Sequence, residues 1–129
     1  MSTANVPVAA AVETTVEAYL ATWNETDAAR RSAIVAQAWS DKGRYRDPLM
    51  ASDGHAGIDA MIAGVQGRFA GLAMKRVSKI DSHNGQVRFS WALAPENGPA
   101  MVEGVDFGVL AADGRLASIA GFIDKMPAA

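Results

Sequence analysis

Asp106 is the residue whose position in the sequence most clearly suggests chemistry. It lies among Val102, Val105, Phe107, Val109 and Leu110, where an unpaired ionised carboxylate would be unfavourable by several kcal/mol and would more readily stay protonated. Gly104 and Gly108 lie two residues to either side, so on a strand they share its face. We expect these glycines to leave space for a ligand above the sheet.

Asp47 and Tyr19 are the other candidates. Asp47 precedes Pro48, and a proline pushes the residue before it toward extended geometry. Tyr19 shares the inward face of the first predicted helix with Trp23, and a buried tyrosine needs a partner for its hydroxyl group.

Each candidate also has a purely structural interpretation. Asp106 would then face solvent, or form an ion pair with an arginine such as Arg88 or Arg115. Asp47 would be a turn residue whose carboxylate accepts backbone hydrogen bonds. Tyr19 would be a hydrogen-bonded core residue.

The two histidines offer less. His55 lies near the start of the third predicted helix, whose N-terminus disfavours a charged imidazolium, so it is either a pocket base or an exposed loop residue. His83 precedes the Asn84-Gly85 turn and is expected to face solvent. The chain has no cysteine, and its histidines lack metal-ligand spacing, so neither a metal site nor a cofactor is predicted.

Several larger side chains complete the predicted pocket. The tryptophans and phenylalanines are more typical of a core than of a cofactor platform, but some of them are expected to form one wall of a cavity. The predicted pocket residues besides the three candidates are Trp23, His55, Met61, Phe69, Arg88, Trp91 and Phe122.

Length and charge restrict the class of protein. A chain of 129 residues predicts a single domain spanning 1–129, with frayed tails at about 1–7 and 125–129. Twelve Lys and Arg against 14 Asp and Glu, with no basic stripe, make nucleic acid a poor partner. No apolar run approaches the roughly 18 residues of a membrane span, so a cytoplasmic protein is expected.

The first half of the chain has the apolar period of helices. Val12, Val16, Tyr19, Leu20 and Trp23 recur at steps of three and four on one face. The predicted bounds are Val12 to Asn24 for the first helix, Thr26 or Asp27 to Lys42-Gly43 for the second, and His55 or Gly57 to Gly71 for the third.

The second half has the alternation of strands and contains strong turn signals at Asn84-Gly85 and Asp113-Gly114. The predicted strands are a short piece at Arg44–Asp47 and then Met74–His83, Gln86–Ala94, Ala100–Ala112 and Arg115–Asp124. Helices followed by strands predict an α+β fold, with three N-terminal helices packed on one face of a curved, mainly antiparallel sheet.

This order of elements resembles the cone-shaped fold of the nuclear transport factor 2-like superfamily. Within it, the chain is similar to SnoaL-like polyketide cyclases and ketosteroid isomerases. Ketosteroid isomerases carry a Tyr-x-x-x-x-Asn stretch, an Asp-Pro pair and a strand aspartate. Tyr19–Asn24, Asp47-Pro48 and Val105-Asp106-Phe107 match these motifs in the same order.

The resemblance implies proton transfer next to a carbonyl group in an apolar conical pocket. Asp47 would be the general base, and Tyr19 with a protonated Asp106 would donate hydrogen bonds to the enolate oxygen. It also implies a hydrophobic or polycyclic small molecule as ligand, and a homodimer.

Other functions remain open on the same fold. One is a cyclase or an epoxide hydrolase-type enzyme that uses Asp47, Asp106 and Arg88, and another is a non-catalytic binding or dimerisation module. Arg44, Arg46 and Arg88 would suit an acidic or polar ligand better than a bare steroid.

Overall fold

Three helices form one layer of the structure, a computed structural model that describes residues 9–127. Helix α1 spans Ala9–Asn24, α2 spans Ala28–Ala38 and α3 spans Gly54–Arg68. The predicted inward face of α1 is confirmed, because all five of its apolar residues are buried. The carboxylate of Asp27 accepts a hydrogen bond from the N–H of Arg30 (2.9 Å), which makes it the N-cap of α2.

The predicted end of the second helix is wrong. Helix α2 ends at Ala38, and strand β1 (Trp39–Arg46) begins immediately after it, well before Lys42-Gly43. Trp39 is extended (φ −112°, ψ 141°) and pairs with Leu116, so sheet pairing overrides the helical period there. A Cβ at Gly43 would overlap the Trp39 ring, so this glycine makes room for the buried indole.

The second half of the chain forms strands, largely as predicted. These are β2 (Ala51–Asp53), β3 (Leu72–Arg76), β4 (Asp81–His83), β5 (Gln86–Pro95), β6 (Val102–Leu110) and β7 (Leu116–Lys125). The predicted strand Met74–His83 is instead divided into β3 and β4, which both pair with β5. The division arises where the hydroxyl of Ser78 accepts the N–H of Ser90 (2.7 Å) in place of a backbone carbonyl.

A parallel strand pair joins the two halves of the chain. The sheet order is β2-β1-β7-β6-β5-β3, with β4 also beside β5, and only β1 and β7 run parallel. The register puts Arg46 opposite Ala120, so Asp47 follows directly beside Gly121. Gly121 in turn lies opposite Asp106 on β6. Two candidate residues that are far apart in sequence therefore come together across β7.

The core lies between the helices and the inner face of the sheet. It includes Trp39, Tyr19, Phe89, Ile58 and Ile62, each less than 2 % exposed. The predicted fold class, three helices on a curved and mainly antiparallel sheet, is confirmed. Of the predicted tails, residues 1–7 lie outside the described residues, whereas Lys125 ends β7 and donates a hydrogen bond to the carbonyl of Ala100 (3.0 Å).

Candidate active site

Asp106 lies on the inner face of β6 and is only 2 % exposed. Its Oδ2 accepts a hydrogen bond from the hydroxyl of Tyr19 (2.5 Å), and its Oδ1 accepts one from the indole N–H of Trp91 (3.0 Å). The structural alternatives are both excluded, because Asp106 does not face solvent and has aromatic rather than arginine partners. Arg88 and Arg115 form ion pairs elsewhere.

The space expected beside Asp106 is not empty. A Cβ at Gly104 would lie 2.5 Å from the Trp91 ring, so this glycine lets the indole reach Asp106. A Cβ at Gly108 would lie about 3.0 Å from core side chains, those of Ile119 and Val87. The two glycines thus admit protein side chains, and the expectation that they leave room for a ligand is wrong.

Burial controls the electrostatics of this pair. Loss of hydration raises the pKa of Asp106 to about 6, which the hydrogen bonds from Tyr19 and Trp91 oppose and the charge of Asp47 reinforces. Burial, and then the nearby charge of Asp106, raise the pKa of Tyr19 well above its usual value. At neutral pH the tyrosine therefore keeps its proton and acts as a hydrogen-bond donor.

Asp47 follows β1 and is half-buried. Its Oδ1 accepts the N–H groups of Leu49 (2.7 Å) and Met50 (2.8 Å), and its Oδ2 accepts the hydroxyl of Tyr45 (2.6 Å). The turn interpretation of this residue is therefore correct in geometry, and the same carboxyl group also lines the cavity described below.

Tyr45 and Gly121 were not identified from the sequence. Tyr45 is 4 % exposed, and since residues two apart on a strand share a face, its proximity to Asp47 was available from the spacing. Gly121 carries no such signal. A Cβ there would lie 2.9 Å from Asp106 Oδ1 and 3.2 Å from Asp47 Cβ, so this glycine admits both carboxyl groups.

An open cavity connects the two tyrosine–carboxylate pairs. Its space, including the part open to solvent, amounts to about 580 Å³. Its apolar wall is formed mainly by Trp23, Val65, Phe69, Met74, Leu93 and Val102. Leu49 (55 % exposed), Met126 (39 % exposed) and the exposed Arg68 also line it and mark its mouth.

The predicted site residues divide into two groups. Tyr19, Asp47 and Asp106 converge on this cavity, which Trp23, Phe69 and Trp91 also line, whereas four predicted pocket residues lie outside it: His55, Met61, Arg88 and Phe122.

The four other side chains are placed elsewhere by their elements. Strand alternation turns Arg88 and Phe122 to the outer face, where Arg88 pairs with Asp81 (2.9 Å) and Phe122 is 58 % exposed. His55 is the second residue of α3, and its Nε2 lies 2.8 Å from the carbonyl oxygen of Trp39. Met61 packs against the core from α3.

Residues 9–127 offer neither a cluster of metal ligands nor a membrane-spanning helix. These residues contain no group of three or more His, Asp or Glu side chains that could hold a metal ion. None of the helices in this part of the chain is long and apolar enough to cross a membrane.

The architecture is that of the nuclear transport factor 2-like α+β cone, and a structural relative identifies the family within it. A proposed isomerase of the SnoaL-like family from Agrobacterium tumefaciens is 38 % identical to this chain, with a TM-score of 0.84. The match covers 89 % of this chain and 98 % of that one. The chain therefore belongs to the SnoaL-like family.

More distant structures agree in fold. A proposed SnoaL-like polyketide cyclase from Jannaschia is 18 % identical over 85 % of both chains (TM-score 0.64). A proposed polyketide cyclase from Sinorhizobium meliloti is 12 % identical over 84 % of this chain and 93 % of that one (TM-score 0.64). No protein-family model and no curated protein matches the sequence. The fold and the cavity support a ligand-binding module.

Proposed function

We propose that this protein is an enzyme that moves a proton next to a carbonyl group of a small, largely apolar molecule, as in the isomerisation of a β,γ-unsaturated ketone. The observation that carries this proposal is the placement of two carboxyl groups on one apolar cavity in unlike surroundings. Asp106 is buried, with a raised pKa, whereas Asp47 is half-buried and accepts backbone hydrogen bonds. Such unequal pairs divide acid and base roles between them.

Asp47 would abstract the proton as general base, because its carboxylate lines the cavity and is half-buried. Tyr19 and a neutral Asp106 would stabilise the enolate oxygen. In the neutral acid, the Oδ2–H of Asp106 donates to the oxygen of Tyr19, and this frees the tyrosine O–H to donate to the ligand. The free protein at neutral pH holds Asp106 mostly ionised, and a ligand that excludes water from the cavity would raise its pKa above 6 and so favour the neutral acid.

A cyclase is the second candidate, since ring closure by aldol addition begins with the same enolate. One observation favours a different division of roles in that case. Both oxygens of Asp106 accept hydrogen bonds, as those of an ionised carboxylate do, and burial raises its pKa to about 6, so Asp106 would itself be the base. Two of the distant structures described above are proposed polyketide cyclases.

The test is turnover of β,γ-unsaturated cyclic and steroid ketones, followed by the absorbance of the conjugated product. Asp47→Asn should lower kcat by about 10²–10⁴-fold, and Tyr19→Phe by about 10²–10³-fold. Asp106→Asn should cost less, because an amide can still donate to Tyr19. The matched control is Asp81→Asn, which removes an exposed carboxylate on β4 and should leave kcat unchanged.

Two outcomes would contradict the isomerase assignment. If Asp106→Asn loses more activity than Asp47→Asn, Asp106 is the base, and this result favours the cyclase over the isomerase. If the wild-type protein turns over none of these ketones, the isomerase proposal is wrong.

We also propose a homodimer that forms through the outer face of the sheet. Phe107 (37 % exposed), Val109 (37 %) and Phe122 (58 %) lie on neighbouring strands there and form an exposed apolar patch. Sedimentation velocity should give a dimer that Phe122→Asp dissociates, and a wild-type monomer would refute it. The cytoplasmic location and the lack of nucleic-acid binding stay predictions from the sequence.

A further inference from the structure

Arg68 is an unpaired cation on the cavity. It is the last residue of α3, and its exposed side chain lines the cavity at the mouth. Within residues 9–127 its guanidinium makes neither a hydrogen bond nor an ion pair. Its Cζ lies 5.7 Å from the centroid of the adjacent Phe69 ring.

Other arginines of the protein are paired. Arg46 contacts Asp53 at 2.8 Å and Arg88 contacts Asp81 at 2.9 Å, so neither supplies the charge that the sequence suggested for the ligand site. Arg30, Arg31, Arg76 and Arg115 likewise have carboxylate partners. Arg44 also has no such partner within residues 9–127, but it lies on β1 and does not line the cavity.

A role in helix stability does not account for the position of Arg68. A cation anywhere in the last turn of α3 would interact favourably with the helix dipole. The side chain of Arg68 lies instead where the apolar wall meets solvent, together with Leu49 and Met126.

The charges of the cavity are arranged by depth. Asp106 is buried at the inner end, Asp47 is half-buried, and Arg68 is the one Lys or Arg among the described residues that line the cavity. An anionic group placed deep inside would meet the two carboxyl groups and an apolar wall. The same group at the mouth would meet a guanidinium, which binds carboxylates by charge-assisted hydrogen bonds.

We propose that the ligand is an apolar molecule with a carboxylate at the end opposite its carbonyl group, and that Arg68 binds this carboxylate at the mouth. The inference rests on the proposed function, because it takes the carbonyl to lie inside, near Tyr19 and Asp106. It narrows the substrate class from apolar ketones to apolar keto acids, and it gives the ligand one orientation.

The test compares keto acids with their methyl esters, which have the same skeleton without the charge. The probes are 4-acetylbenzoic acid, 6-acetyl-2-naphthoic acid and the two esters, with affinity measured by calorimetry at neutral pH and low salt. The wild-type protein should bind at least one acid more tightly than its ester, by roughly three- to fivefold for a partly exposed pair. Added salt should reduce this preference.

Variants locate the effect. Arg68→Gln should remove the preference for the acid and leave the ester affinity unchanged, whereas Arg68→Lys should retain part of it. Arg44→Gln removes an arginine off the cavity and should retain all of it. The inference is overturned if neither acid binds more tightly than its ester, if none of the four probes binds, or if Arg68→Gln weakens acid and ester equally.

Turnover plays no part in this measurement, so the two proposals fail separately. An acid preference without isomerisation of any ketone would retain the Arg68 site and refute the isomerase. Isomerisation without an acid preference would do the reverse.

Discussion

Tyr19 donates to Asp106 over 2.5 Å, and Tyr45 donates to Asp47 over 2.6 Å, so the cavity holds two tyrosine–carboxylate pairs of nearly equal length. Their surroundings differ. The inner pair is buried, and the second partner of its carboxyl group, besides Tyr19, is the indole N–H of Trp91. The outer pair is part-buried, and two backbone N–H groups complete the partners of Asp47.

The two carboxyl groups therefore differ in how deeply they are buried and not in the length of their hydrogen bonds to tyrosine. Water reaches the surroundings of Asp47, whereas Asp106 depends on two protein donors alone. The pairs also differ in origin, since Tyr45 and Asp47 are two residues apart and Tyr19 and Asp106 are 87 apart. The outer pair is therefore a local feature of one strand end, while the inner pair links α1 to β6.

Removal of the two carboxyl groups should have unequal effects on stability. Asp106→Ala leaves the buried donors of Tyr19 and Trp91 unpaired and should lower the free energy of unfolding by roughly 2–5 kcal/mol. Asp47→Ala frees backbone donors that water can reach and should cost about 1–2 kcal/mol. Urea unfolding at neutral pH gives both values, and equal losses would show that the burial contrast is wrong.

Stability should also depend on pH through Asp106. Because burial raises its pKa from 3.8 to about 6, the folded protein binds this proton more tightly than the unfolded chain does. The resulting stabilisation is complete below the unfolded value and is lost as the pH rises through 6.

The measurement is the unfolding free energy of the wild-type protein and of Asp106→Asn between about pH 4 and pH 7. The wild-type protein should lose roughly 2–3 kcal/mol relative to the variant over this range. Asp81→Asn, which removes an exposed carboxylate, should run parallel to the wild type. If Asp106→Asn also runs parallel, Asp106 does not have a raised pKa.

The sequence predicted the local parts of this arrangement. The helical period placed Tyr19 and Trp23 on the buried face of α1, and the turn signals placed β5, β6 and β7 within a residue or two of their ends. Asp106 was singled out because a carboxyl group within an apolar strand needs a partner. Which partner it has was open, since Tyr19 reaches it from another element.

Long-range pairing explains what the sequence did not predict. The parallel contact of β1 with β7 ends α2 early at Ala38, and it also brings Asp47 beside Gly121. No local pattern indicates such a pairing. Arg68 was not singled out for a related reason, because whether a residue at a helix end faces a cavity depends on how the helix docks on the sheet.

Gly121 lies between the two pairs, and Gly121→Ala tests how closely the side chains of Asp106 and Asp47 pack against it. The added Cβ would lie within 3.2 Å of both Asp106 Oδ1 and Asp47 Cβ, so one of these side chains must move. This movement should lower the free energy of unfolding by about 1–2 kcal/mol. Gly64→Ala is the control, because no atom lies within 4 Å of its Cβ position and α3 should gain up to about 1 kcal/mol there. A neutral Gly121→Ala would mean that the carboxyl groups have room to separate.

The smallest effect is expected from the tyrosine of the outer pair. Tyr45→Phe keeps the ring that lies 5.8 Å from Trp23 and removes the hydroxyl bonded to Asp47. Asp47 keeps two backbone donors, so the loss should be about 0.5–1 kcal/mol.

Tyr19→Phe deprives a buried carboxyl group of one of its two donors and should cost about 1.5–3 kcal/mol at neutral pH, where Asp106 is mostly ionised. Because the hydrogen bond from Tyr19 lowers the pKa of Asp106, Tyr19→Phe should also raise that pKa above 6 in a carbon-13 NMR titration, whereas Tyr45→Phe should change it less. Equal responses of the two variants would mean that the inner and outer pairs share one environment.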